Sequence, residues 1–161
     1  MSAVAAAGGL SVITDLAWRR VPNVLTSGTA AIGLLLAARN ATSLGVPAAL
    51  EGLSLGLLLM LPGFVIGATG GGDVKLLAAL GTLLGPSRTA FAFLYTAILG
   101  ALMAVAIAWR RKRLAETIQQ SAALLGAPGP AVRAIEAPTR NNRFAYAPAI
   151  ALGALAAALG F

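Results

Sequence analysis

The chain has 161 residues, enough for one ordinary domain. It is 58% apolar and 11% charged, with a mean hydropathy of +0.86; a soluble domain is about 25% charged and this small could not bury so much apolar surface, while disorder requires the opposite composition. The formal charge is +7 and there is neither cysteine nor histidine, which excludes disulfides, thiolate or histidine metal sites, cysteine nucleophiles and Ser-His triads.

A lipid bilayer is the solvent that fits, so the chain is read as a succession of apolar stretches near the roughly 20 residues a spanning helix needs. The first runs over 2–18 and stops at Arg19-Arg20, and the second covers 21–38. A third covers 46–67, with Glu51 near its start. The fourth, 74–85, is short: its 12 residues rise only about 18 Å as a helix. The fifth runs over 89–109 into Arg110-Arg111-Lys112-Arg113, and the sixth covers 144–161. The expected fold is therefore all-α: a polytopic membrane protein of six transmembrane helices, with residues 1–161 forming one membrane-embedded domain.

Basic residues set the orientation. Alternating crossings put Arg19, Arg20, Lys75, Arg110, Arg111, Lys112, Arg113, Arg133, Arg140 and Arg143 on one side, and only Arg39 and Arg88 on the other. The first side is therefore expected to be cytoplasmic, with both termini outside. Trp18 and Trp109 precede the basic clusters as interfacial anchors should. Topology thus accounts for the positive charge without a nucleic-acid partner. The start of the chain has no basic run before its apolar stretch, so a cleaved signal peptide is not expected. Within the loop 110–143, Leu114, Ile118, Ala122 and Leu125 share one helical face, which predicts a short amphipathic helix on the inner surface; the stretch from Ala127 to Asn142 contains three prolines and reads as a linker. The many glycines inside the spans are most simply read as close helix packing.

Only two residues are aspartate, Asp15 and Asp73, and they stand 58 positions apart. Asp15 lies one turn from the cytoplasmic end of the first span and Asp73 at the cytoplasmic start of the fourth. Alternation brings them to the same depth. Carboxylates are costly inside a span and are functional candidates by default. Each also has a purely structural role open to it: Asp15 could pair with Arg19 one turn on, and Asp73 could cap a helix N-terminus. The coincidence of residue type, depth and flanking sequence favours function. Asp73 follows the triplet Gly70-Gly71-Gly72 and precedes Lys75; Asp15 precedes Arg19, Pro22 and Asn23. The glycines clear side chains from the approach to a carboxylate, where an extended peptide could lie. Brought together, two carboxyl groups share a proton. The ionised one can activate water and the protonated one can polarise a peptide carbonyl, which is aspartic-protease chemistry.

At these residues the chain resembles the type IV prepilin, or leader, peptidases, GxGD-type aspartic proteases of the membrane. The resemblance rests on Asp15 with Arg19, Pro22 and Asn23, on Gly70-x-Gly72-Asp73-x-Lys75, and on a last span opening Phe144-Ala-Tyr146-Ala-Pro148. The short chain is similar to the small peptidases of tight-adherence (Flp) pilus systems. The resemblance implies Asp15 and Asp73 as the catalytic pair, with Gly70, Gly71, Gly72, Lys75, Arg19, Pro22 and Asn23 binding or positioning substrate, and neither metal nor cofactor. The implied substrates are prepilins and pseudopilins, cut after a glycine at the cytoplasmic face of the bacterial inner membrane. Larger relatives also N-methylate the product and carry a cysteine cluster; a chain without cysteine is not expected to methylate. Two other readings remain open: a small proton-coupled transporter, which would make use of Glu51, and a structural subunit of a pilus or secretion machine, in which both aspartates are dispensable.

Overall fold

The computed structural model describes residues 2–18, 22–41, 43–65, 69–110 and 147–160. These form five helices, α1 (Ser2–Trp18), α2 (Asn23–Ala38), α3 (Val46–Val65), α4 (Gly71–Arg110) and α5 (Ala147–Leu159), and no strand among the described residues. The interfacial helix expected within 110–143 lies outside the described residues, apart from Arg110 at the end of α4.

Each helix coincides with a predicted apolar stretch, α4 with two of them. Its two helices, over the fourth and fifth stretches, meet at Gly85, whose backbone (φ 73°, ψ 175°) is not helical. That backbone region is open essentially to glycine alone. Pro86 follows as the first residue of the second arm, where its missing N–H costs nothing. The Gly85-Pro86 pair therefore separates α4 into two helical arms, over 71–84 and 86–110.

The first arm is the core. Leu76, Leu77 and Leu80 are wholly buried, and Val74, Ala78, Ala79 and Leu84 nearly so. The fourth apolar stretch is a protein-facing segment. Burial among neighbours and exposure to lipid select the same residue types, so hydropathy cannot separate them. Large apolar side chains instead lie exposed around the outside, among them Ile13, Leu35, Leu58, Phe91, Leu102 and Trp109. An apolar exterior over a close-packed centre suits a bilayer rather than water. By length and composition, Val46–Val65 and the Gly71–Met103 part of α4 can each cross a membrane, whereas α1, α2 and α5 are shorter apolar helices.

Small residues set the helix contacts, as expected from the glycine content. Gly52 of α3 lies against Gly81 and Gly85, and a Cβ on Gly56 would stand 2.9 Å from both Ala78 Cα and the Leu77 carbonyl. The pairing of 52 with 81 and 56 with 78 makes α3 antiparallel to the first arm. Asn23 meets Lys75 and Gly33 meets Thr82, so α2 runs parallel to it. Asp15 meets Ala147 and Gly8 meets Ala151, so α1 and α5 are antiparallel. Buried hydroxyls within the bundle turn back on their own helices: Thr82 donates to the Ala79 carbonyl (2.7 Å), Thr89 to Gly85 (2.7 Å) and Thr96 to Ala92 (2.6 Å). These contacts gather the end of α1 and the starts of α2, α4 and α5 at one end of the bundle.

Candidate active site

The gathered end contains both aspartates. Asp15, in the last turns of α1, is buried with 7% of its surface accessible. Its Oδ2 accepts a hydrogen bond from the backbone N–H of Ala147, the first residue of α5, at 3.2 Å. The first N–H groups of a helix have no intrahelical partner and carry partial positive charge. A buried carboxylate at that point satisfies a donor and is itself satisfied. Sequence reading missed this role of α5, because a backbone N–H leaves no residue-type signature and its partner lies 132 positions away. The available signal was weaker: Ala147-Pro148 reads as a helix start.

Asp73 is half-buried, in the first turn of α4. Its Oδ2 accepts from the Gly70 N–H at 3.2 Å, while the Asp73 and Val74 N–H groups donate to the Gly70 carbonyl at 3.0 and 3.3 Å. Gly70 is thus the N-cap. Asp73, three residues on, makes the reach-back half of a capping box, rather than being the cap itself, the structural role that was open to it. The Asp15 carboxylate is near enough to act electrostatically on Asp73.

The glycine triplet lies against this carboxylate. A Cβ on Gly70 would stand 3.1 Å from Asp73 Oδ2, and one on Gly71 would stand 3.3 Å from the Phe64 ring; Gly72 is half-buried. Of the first motif, Pro22 is exposed and is the N-cap of α2 (φ −61°, ψ 138°), one position before the helix-start role it offered. Its carbonyl accepts from the Leu25 N–H at 3.0 Å. Asn23 Oδ1 accepts a hydrogen bond from Lys75 Nζ at 3.1 Å, joining the two motifs directly. Arg19 lies outside the described residues, and so does its expected pairing with Asp15. Glu51 is exposed, beside the Gly52–Gly81 contact toward the opposite end of the bundle, and takes no part in the site. Among the described residues, no group of three acidic side chains could hold a metal ion.

An apolar groove of about 480 Å³ opens between α1 and α2. Ala3, Ala7, Leu10 and Thr14 form one wall, Leu25, Gly28 and Ile32 the other, and Leu83 also lines it. The groove reaches Thr14 and Pro22, beside Asp15 and Asn23. Two carboxyl groups at one end of an apolar bundle, next to a side-chain-free glycine edge and an apolar groove, can activate water against a peptide that enters from that end. A model of the type IV leader peptidase family matches residues 3–105, which contain both aspartate motifs. No curated protein and no solved structure matches the chain significantly.

Proposed function

From its place in the type IV leader peptidase family, to which the chain belongs, we propose that it cleaves the leader from prepilins and pseudopilins, with Asp15 and Asp73 as the catalytic pair. The observation that carries this reading is the hydrogen bond from Lys75 to Asn23, which joins the two aspartate motifs at the end of the bundle where α1 and α4 present Asp15 and Asp73.

In this mechanism the ionised carboxylate takes a proton from water. The water oxygen adds to the scissile carbonyl carbon while the protonated carboxyl gives its proton to the carbonyl oxygen. Collapse of the resulting gem-diol breaks the C–N bond. The leaving amine takes the proton first removed from water, and the second carboxyl regains its own from the diol. The Gly70–Gly72 edge leaves room for the peptide beside Asp73. The groove between α1 and α2 takes the apolar helix of the prepilin, so that the junction between leader and helix arrives next to Asp15.

The proposed setting is the bacterial inner membrane, with six crossings, both termini outside and the site at the cytoplasmic face. The opposite helix directions of α1 and α5, and of α3 and the first arm of α4, support such an alternation. Co-expression with a prepilin in a host lacking its own leader peptidase tests the function. A shortened pilin is expected, and Asp15→Asn or Asp73→Asn should each prevent the shortening while the protein stays in the membrane. Normal processing by either variant would exclude the dyad. A structural subunit would instead tolerate both changes.

A further inference from the structure

We propose that Lys75 is a positioning residue: its hydrogen bond to Asn23 is a clasp that sets the separation of Asp15 and Asp73, and it does not bind the substrate leader. The proposal rests on the dyad reading above and gives one member of each motif a mechanical role.

The argument starts from how α1 is held. This helix packs chiefly against α5 and makes few contacts with α2 or α4, and a groove rather than a packed interface separates it from α2. Packing therefore does little to fix the end of α1, which bears Asp15, against the start of α4, which bears Asp73. Polar ties remain. One is the Ala147 N–H donated to Asp15, which fixes α1 to α5. The other acts through the chain: Asp15 lies eight residues before Asn23, so holding Asn23 at the start of α2 restrains how far the end of α1 can move. Lys75 Nζ supplies that hold at 3.1 Å, from a position two residues after Asp73 on the same helix. Residues two apart on a helix point in nearly opposite directions, so Lys75 reaches α2 without competing for the Asp73 carboxylate.

Charge points the same way. The leader implied by the family is basic, and the Lys75 ammonium keeps its positive charge when it donates to a neutral amide oxygen, so it cannot attract that leader. Its contribution is position. Displacements on the order of 1 Å at a reacting centre cost about 100-fold in rate, so a peripheral hydrogen bond can govern turnover without touching substrate.

The test uses the full-length protein in detergent or reconstituted membrane, with a synthetic prepilin carrying a basic leader ending in glycine before an apolar helix. Lys75→Met and Asn23→Ala are each expected to lower kcat about tenfold or more with KM little changed. The double variant should be no worse than either single one, because both remove the same bond. Lys75→Arg, which can still donate to Asn23, should recover much of kcat. If Lys75→Met raises KM at constant kcat, or Asn23→Ala leaves kcat unchanged, or the two losses multiply, the clasp is overturned. Asp15→Asn run in parallel separates the two levels: if it retains activity, the dyad reading fails and the clasp with it; if it is inactive while any of those results holds, the clasp alone fails.

Discussion

Asp15 has two tasks that substitution can separate. As an acceptor for the Ala147 N–H it ties α1 to α5; as a carboxyl group it is proposed to handle protons. Asparagine retains an acceptor oxygen of the same shape and lacks the acid-base function. Asp15→Asn should therefore keep near-native thermal stability and lose cleavage. Asp15→Ala should lose both, at a cost of about 1–3 kcal/mol for the buried N–H left unpaired. A thermal melt in detergent alongside the cleavage assay checks this; equal melting temperatures for the two variants would remove the structural role. Both aspartates stood out in the sequence as candidates, from their type, flanking residues and expected depth. Their immediate partners did not. The partner of Asp15 is a backbone amide, and Lys75 and Asn23, marked in the sequence as members of separate motifs, gave no sign that the fold sets them 3.1 Å apart.

Among the elements, α4 shows where reading by hydropathy stops. The sequence marks an interruption at Gly85-Pro86 and places a span on each side. The structure keeps that division, with Gly85 non-helical at φ 73°, ψ 175° between two helices. What the sequence does not show is that the first arm is core, since Leu76, Leu77 and Leu80 would serve equally against lipid. Gly85→Ala should destabilise the protein by about 1–3 kcal/mol through backbone strain alone, with Leu44 adding crowding at that position. Gly56→Leu would drive a side chain into the backbone at Ala78 and separate α3 from α4, costing about 1–3 kcal/mol or more. Lowered unfolding midpoints for both variants are the expected result. A Gly56→Leu protein that melts like the wild type would show that the α3–α4 contact is looser than described.

At the scale of the whole molecule, helix direction is the property that links fold to site. The proposed alternation of crossings places the end of α1 and the starts of α2, α4 and α5 on one side, and the residue pairs 15–147, 23–75 and 52–81 are those of such a bundle. Charge asymmetry is what assigns a side to that proposed arrangement, because basic residues sort by membrane side regardless of tertiary structure. A reporter fused within 110–143 should accordingly score cytoplasmic, and a periplasmic signal would reverse the orientation. The central claim is that this bundle unites Asp15 and Asp73. The absence of native cysteine makes an unambiguous test available: place cysteines at 15 and 73, with a protease site in the connection between α2 and α3, and treat membranes with a short thiol-to-thiol reagent. The account predicts that the fragments stay joined after proteolysis, as they should for a control pair at 23 and 75. Fragments that separate for 15 and 73 while the control pair remains linked would contradict it.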